Sequence, residues 1–313
     1  MQMNRQSLRI IFMGTPEFAA TSLKALTDGG FNVVAVVTAP DKPAGRGLQL
    51  QQSAVKKLAL EHQIPVLQPE KLKDPTFLET LRAFKADVQV VVAFRMLPEV
   101  VWNMPPMGTI NVHGSLLPDY RGAAPIHHAV MNGESTTGVT TFKLKHEIDT
   151  GDILLQAPLS IAEDETTGSV HDRMMVAGAH LLVQTLDRLL EGSIQPTAQP
   201  MQSGKHAPKI HTEDCKLNFE LTAREVHNRV RGLSPYPGAF TMLGGKTLKI
   251  FRTSLTVIPS EKAGNISTDG KTYFRIHCHD VQLEILELQL EGKKKMPVAD
   301  FLRGYRFTES LVG

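Results

Sequence analysis

LRIIFMGTPEF, from Leu8 to Phe18, sets the reading of the fold. Leu8 to Met13 is an unbroken apolar run, the pattern of a strand covered on both faces. It reads as a first buried strand and not as a secretion signal. Gly14 turns the chain, Thr15 is placed to cap a helix, and Pro16 fits that helix's first turn. Phe18, Ala19, Leu23 and Leu26 then recur at helical spacing, and Gly29-Gly30 closes the segment.

The same alternation continues outward. NVVAVVT (Asn32 to Thr38) reads as a second buried strand. A helix over about Ser53 to His62, a short strand near Pro65 to Leu67, a helix around Pro75 to Phe84 and a strand VQVVVAF (Val88 to Phe94) follow. Alternating strands and helices imply parallel strands joined by right-handed crossovers. GVTTFKL (Gly138 to Leu144) and DILLQAPL (Asp152 to Leu159) read as two strands joined by a short turn. A long helix spans about Gly168 to Leu190, with Val170, Met174, Ala177 and Leu181 on one stripe.

These elements define an α/β fold with a doubly wound, mostly parallel sheet. The first turn, GTPEF, has one glycine and lacks the G-x-G-x-x-G fingerprint, which disfavours a nicotinamide-dependent enzyme. The pattern G-x-x-x-x-G-K-[ST] is also absent, which disfavours a P-loop phosphotransferase.

EGSIQPTAQPMQSGKHAPK, rich in proline, serine and glycine, reads as a linker. A helix near Thr222 to Gly232 and short β-type runs such as KTLKIFRTSL and TYFRIHCHDVQLEILEL follow it. They suggest a small, OB-like β-barrel. The expected organisation is an α/β domain over residues 1–200, a linker over 201–211 and a C-terminal β-barrel domain over 212–313.

No apolar run reaches the roughly 18 to 20 residues that cross a bilayer, so no membrane partner is expected. Two cysteines, Cys215 and Cys278, form no disulfide framework, and a reducing, cytoplasmic compartment is expected. The net charge is only +2, unevenly spread. Residues 1–205 carry 18 basic and 20 acidic side chains; residues 206–313 carry 16 and 12. A mildly basic tail permits a polyanionic partner, and ordinary solubilising charge explains it equally well.

Chemistry concentrates in TINVHGSLLPDYRGAAP, from Thr109 to Pro125. Strand alternation sends Ile110 and Val112 to one face and Asn111 and His113 to the other. The polar pair then meets at the carboxyl edge of the sheet, where open α/β sheets bind ligands. His113 by itself reads as a hydrogen-bonded structural histidine; its pairing with Asn111 at a strand end points to a site. In the next loop, Pro118 stiffens Leu117, and Leu116 with Leu117 either pack as a plain buried loop or form an apolar rim suited to a flat heteroaromatic ligand. EIDTGDIL places Asp149 and Asp152 about a Thr-Gly turn. Most such sequences are only turns. A carboxylate beside an imidazole would fix its tautomer and stabilise its protonated form. Asn111, His113 and Asp149 together would supply a carbonyl-polarising amide, a general acid/base and an orienting acid.

These residues resemble the 10-formyltetrahydrofolate-dependent formyltransferase family, marked by Asn-x-His-x-Ser-x-Leu-Pro and a later Asp-x-Gly. Here these are Asn111, His113, Ser115, Leu117, Pro118, and Asp149 with Gly151. MGTPEF at Met13 to Phe18, PDKPAGRG at Pro40 to Gly47, HGSLLPDYRGAAPI at His113 to Ile126, DTGDIL at Asp149 to Leu154 and GKKKM at Gly292 to Met296 are closest to the branch that formylates aminoacyl-tRNA. The resemblance runs nearly end to end and includes the linker and tail.

The resemblance implies a Rossmann-like formyltransferase domain with Asn111, His113 and Asp149 as catalytic residues. It implies 10-formyltetrahydrofolate as co-substrate, with no metal. Folate contacts would come from Ser115, Leu116, Leu117 and Pro118, and from Phe94, Arg95, Met96 and Leu97. The acceptor would be methionyl-initiator tRNA, met by Lys42 and Arg46 near the catalytic site and by Lys293, Lys294 and Lys295 in the tail. A solvated charge run also accounts for those three lysines. A monomer is expected. Arg95 and Glu147 stand where the family usually has glycine; a backbone needing positive φ at Arg95 would be strained.

Three other readings stay open on sequence. The same chemistry could serve another amine, on a sugar nucleotide or glycinamide ribonucleotide. The chain could be an inactive folate- or nucleotide-binding regulator. His277, Cys278 and His279 could hold a metal, although adjacent strand positions point to opposite faces.

Overall fold

The computed structural model describes residues 3–44, 49–200, 204–308 and 310–313. In chain order the first elements are β1 (Arg9–Gly14), α1 (Glu17–Asp28), β2 (Asn32–Val37), β3 (Lys42–Ala44), β4 (Gln49–Gln51), α2 (Ala54–Glu61), β5 (Val66–Leu67), α3 (Pro75–Ala83), β6 (Val88–Val92), α4 (Glu99–Trp102), β7 (Thr109–His113) and β8 (Arg121–Gly122). Then come α5 (Pro125–Met131), β9 (Thr136–Lys143), β10 (Ile153–Ser160), α6 (Thr167–Leu190), β11 (His206–Ala207) and α7 (Ala223–Gly232). The last are β12 (Ala239–Leu243), β13 (Lys246–Pro259), β14 (Ile266–Thr268), β15 (Phe274–His277), β16 (Val281–Leu290), β17 (Met296–Pro297) and α8 (Val298–Gly304).

Two compact units result. One comprises Met1–Gly122, Gly138–Leu159 and Asp172–His206; the other comprises Ala123–Thr137, Ser160–His171 and Ala207–Gly313. The second unit therefore takes in α5 and the start of α6 as well as the tail.

The first unit is built on a seven-stranded sheet ordered β10-β9-β7-β6-β1-β2-β5. Its central pairs, β1 with β2 and β6, β6 with β7, and β2 with β5, are parallel, while β9 runs antiparallel to β7. The apolar run in β1 is buried on both faces. Ile11 and Met13 join Ala35, Val37, Val91, Phe77, Leu78 and Leu81 in one core layer, and Ile10 and Phe12 are fully buried as well. α1 packs on β1 and β2. Pro16, and not Thr15, is the N-cap of α1, and it makes no side-chain bond there. The Pro16 carbonyl instead accepts from Ala19 and Ala20, and Glu17 supplies acidic charge to the first turn. Elsewhere side chains do cap: Ser53 accepts from Lys56 N at α2, and Asp74 from Phe77 N at α3, each worth about 1 kcal/mol.

The second unit is an antiparallel sheet ordered β12-β13-β16-β15-β14, with β17 added to β16. Register shifts at Ile250/Arg252, Arg252/Thr253 and Leu255/Pro259 bend the long β13. α7 packs on β13 and β16. Its start is fixed by a capping box between Thr222 and Glu225. Phe274, Phe301, Tyr305 and Phe307 form an aromatic cluster with centroids 4.6 to 6.3 Å apart. His277 is held inside this unit, accepting from Glu261 N on Nδ1 and meeting Ser267 Oγ at 2.8 Å on Nε2. Among the described residues no group of three or more histidine, cysteine or acidic side chains is placed to hold a metal ion. No helix among them is long and apolar enough to cross a membrane.

Candidate active site

The carboxyl ends of β1, β6 and β7 lie side by side: Gly14 is in register with Val92, and Val92 with Val112. Gly14 is required at this junction, because a Cβ there would stand 2.5 Å from Ala19 Cβ and 2.8 Å from the Val92 carbonyl. β6 leaves the edge through Ala93, whose φ is 45°. In β7, Ile110 and Val112 are buried, and Asn111 and His113 share the opposite face as alternation requires. The Asn111 side chain is partly exposed, and no hydrogen bond occupies its amide among the described residues.

His113 is 7% exposed, and each ring nitrogen faces a partner. Its Nε2 lies 2.9 Å from the Tyr120 carbonyl. A carbonyl only accepts, so in the neutral ring Nε2 carries the hydrogen and Nδ1 the lone pair. The tautomer is therefore set by a backbone carbonyl, where the sequence pattern assigns that task to Asp149. Asp149 Oδ2 lies 3.8 Å from Nδ1, beyond direct hydrogen-bond reach. That oxygen already accepts from Gly122 N at 2.9 Å. The Phe142 ring stands nearly perpendicular to the imidazole, at an interplanar angle of 83° with centroids 6.4 Å apart.

Two residues beside the imidazole adopt left-handed backbone, Tyr120 at φ 61° and Asp149 at φ 55°. Non-glycine residues hold such conformations where their surroundings impose them. Around Tyr120, its N–H donates to the Lys205 carbonyl, and Lys205 N donates to Asp119 Oδ1. Around Asp149, Gln199 Nε2 donates to the Asp149 carbonyl at 3.0 Å and to the Gly151 carbonyl at 2.7 Å. Gly151 cannot be replaced without movement, since a Cβ would meet the Lys143 carbonyl at 1.5 Å.

The Ser115 to Pro118 loop is fastened by side chains that lie outside the motif. Thr140 Oγ1 donates to the Ser115 carbonyl at 2.7 Å and accepts from Leu117 N at 3.1 Å. Gln156 Nε2 donates to the Leu117 carbonyl at 2.9 Å. Ser115 Oγ closes the loop on the Asp119 carbonyl at 2.6 Å. Leu117 is buried, and Leu116 sits over Gly138, where a Cβ would stand 2.5 Å from Leu116 Cδ2. Packing thus accounts for most of the apolar surface expected to rim a ligand pocket.

Of Phe94 to Leu97, Leu97 belongs to the core layer and Met96 is 73% exposed. Arg95 does not have positive φ. Its guanidinium reaches the carbonyls of Pro69 and Glu70 and lies 5.5 Å over the Phe94 ring, so arginine is accommodated without strain. Glu147 has no positive φ either, and its carbonyl accepts from Thr150 Oγ1 at 3.0 Å. Lys42 is exposed on β3; Arg46 lies outside the described residues. In the second unit, Lys293 and Lys294 are exposed between β16 and β17, whereas Lys295 pairs with Glu287 at 2.8 Å and sits 4.7 Å over Phe251.

Gln199 escapes motif reasoning because it sits inside a stretch whose composition reads as linker. The residues just before Gln199 are held within the first unit: Thr197 exchanges backbone hydrogen bonds with Ile153. Thr140 carries a weak signal, being the β9 residue in register with His113.

The sheet, the strand-end amide and imidazole, and the facing carboxylate define a class. Residues 8–186 match the family model described as formyl transferase, and residues 209–306 match that of the formyl transferase C-terminal domain. The chain is an enzyme of that class. It is 48% identical over 318 residues to the methionyl-tRNA formyltransferase of Bacteroides fragilis, covering 98% of each chain. It is 50% identical over 318 residues to that of Parabacteroides distasonis, covering 97% of this chain and 98% of the relative. The chain belongs to the methionyl-tRNA formyltransferase family. More distant solved structures share the fold. HypX from Aquifex aeolicus in complex with tetrahydrofolic acid is 18% identical with a TM-score of 0.64; 96% of this chain is covered, and it spans 48% of HypX. The N-formyltransferase from Helicobacter canadensis in complex with folinic acid and dTDP-3-aminofucose is 20% identical, with a TM-score of 0.65 and coverage of 92% and 99%.

Proposed function

We propose that the chain transfers a formyl group from 10-formyltetrahydrofolate to the α-amine of methionyl-initiator tRNA, as a cytoplasmic monomer. The observation that carries this reading is the seating of His113, with Nε2 committed to the Tyr120 carbonyl and Nδ1 facing Asp149 beside the unengaged Asn111 amide. Identity of 46% to 50% along the whole chain with proteins named for the tRNA substrate supports that acceptor over a sugar amine. Two buried free cysteines are compatible with a reducing compartment.

In this reading the Asn111 amide donates to the oxygen of the formyl carbonyl as negative charge develops there; a single such donor typically contributes a factor of about 10² to 10³. His113 Nδ1 takes the proton that the amine loses on attack. Asp149 supplies the opposite charge for the doubly protonated ring. His113 then returns the proton to the departing folate nitrogen, so the site ends as it began. The α-amine has an ordinary pKa of about 7.7 to 8, so a reactive neutral fraction exists near pH 7. Gly122 N and Gln199 hold Asp149 where this requires it.

The folate would lie at the carboxyl edge formed by β6 and β7, against the Ser115 to Pro118 loop and the Phe94 to Leu97 segment. Lys42 and Arg46 would meet the acceptor end, and Lys293 to Lys295 the body of the tRNA. A formyl-transfer assay with charged initiator tRNA, charged elongator methionine tRNA and sugar amines as alternative acceptors tests the reading. Preference for a sugar amine refutes it.

A further inference from the structure

Gln199 and Arg121 stand behind both partners of the catalytic imidazole. Gln199 Nε2 donates to the carbonyls of Asp149 and Gly151, bracketing the turn that presents the carboxylate. Its Oε1 accepts from Arg121 Nη2 at 2.7 Å and Nε at 3.1 Å. Arg121 also donates to the Pro200 carbonyl at 3.2 Å. In sequence, Arg121 lies between Tyr120, whose carbonyl holds His113 Nε2, and Gly122, whose N–H holds Asp149 Oδ2. A closed circuit results: His113, Tyr120, Arg121, Gln199, Asp149, and back to His113.

The circuit has a physical task. Tyr120 and Asp149 are both in left-handed backbone, a conformation that local preference opposes. A bidentate amide on one and a guanidinium anchored beside the other supply the opposing restraint. Both polar atoms of Gln199, and Nε and Nη2 of Arg121, are engaged with each other or with backbone carbonyls, so they act on the imidazole through the groups that touch it. Fixing a reacting group to within a fraction of an ångström is where such supports matter, since a misplacement of about 1 Å can cost about 10²-fold in rate.

We propose that Gln199, oriented by Arg121, is a positioning residue for the Asp149–His113 pair. This role rests on the formyl-transfer reading of the site and assigns a part in it to a residue outside the family's recognisable motifs.

The test is a double-mutant cycle on the full-length enzyme in the formyl-transfer assay. Gln199→Leu removes the donors and the acceptor at similar volume. Gln199→Glu keeps the length and the Arg121 contact but cannot, when ionised, donate to the two carbonyls. Each is expected to lower kcat about 10- to 100-fold with KM for the formyl donor within about threefold and the unfolding midpoint preserved. Combined with Asp149→Asn, Gln199→Leu should add less than about a twofold further loss. If Gln199→Leu does not fold, Gln199→Glu is read alone and in the same background. Parental kcat in the Gln199 variants beside an impaired Asp149→Asn overturns the proposal, as do losses that simply multiply. Parental turnover in Asp149→Asn overturns the underlying site reading instead.

Discussion

Asp149 Oδ2 accepts the Gly122 N–H at 2.9 Å and faces His113 Nδ1 at 3.8 Å, so one carboxylate oxygen serves both a backbone anchor and the imidazole. The backbone anchor fixes where that oxygen lies, and the longer distance leaves it outside direct hydrogen-bond reach of the ring nitrogen.

Asp149→Asn keeps the shape of the turn and the Gly122 contact through its amide oxygen but removes the charge. Turnover should fall by about 10² to 10⁴, the range seen for acid/base partners of a catalytic histidine. KM for the formyl donor should change little. Steady-state kinetics with the donor varied checks both parts.

Gly151→Ala should damage the site from behind. A Cβ at that position meets the Lys143 carbonyl at 1.5 Å and Phe142 Cδ2 at 3.1 Å, so the Asp149 turn must move. Overpacking of this kind costs about 1 to 3 kcal/mol. Lowered thermal stability together with diminished turnover is the expected pair of observations.

Thr140→Val preserves shape and removes the hydroxyl that joins Ser115 O, Leu117 N and Gln156 Nε2. Leaving buried partners unsatisfied costs about 1 to 3 kcal/mol. The loop they hold is the proposed folate contact, so KM for the donor should rise more than kcat falls. Equal KM values for variant and parent would exclude that role for the loop.

The tail lysines should behave differently from one another. Lys293→Ala and Lys294→Ala should weaken tRNA binding and reduce its salt dependence, the logarithmic slope falling by about 1 for each phosphate left without its cation. Lys295 is already engaged by Glu287 and Phe251, so Lys295→Ala should affect tRNA binding less. Filter binding across a salt series distinguishes these outcomes.

Acid should loosen the second unit. Burial pushes the His227 imidazole below its ordinary value, partly opposed by Asp164, and burial does the same to His127, partly opposed by the Tyr236 carbonyl. A histidine kept neutral when folded binds fewer protons than the unfolded chain as pH falls below about 6.5. Stability contributed by that neutrality is present above this pH and disappears as pH falls toward the depressed folded values. His227→Gln should therefore flatten the fall in unfolding midpoint between about pH 7 and pH 5, read by calorimetry.

Much of this fold is legible in the sequence. The apolar run of β1 and the strand–helix alternation after it announce a parallel sheet, because burial on both faces leaves no polar period. Two-residue alternation in TINVH places Asn111 and His113 together, and the Asp149 turn is visible as a motif. What the sequence conceals comes from backbone groups and distant partners. A carbonyl at Tyr120 sets the imidazole tautomer, and carbonyls carry no residue signature. Gln199 reaches back across the first unit from a stretch whose composition speaks only of flexibility. Leu116 and Leu117 have the same apolarity whether they line a pocket or pack, and only the position of Gly138 beneath Leu116 tells which.

The assignment of His113 as the group that moves the proton is tested most directly by following labelled formyl groups from 10-formyltetrahydrofolate to charged initiator tRNA, with the parent chain and His113→Ala side by side. The predicted result is formylmethionyl-tRNA from the parent and a fall of several orders of magnitude in the variant, with donor binding retained. Parental turnover by His113→Ala, or no transfer to the charged initiator by the parent, would contradict it.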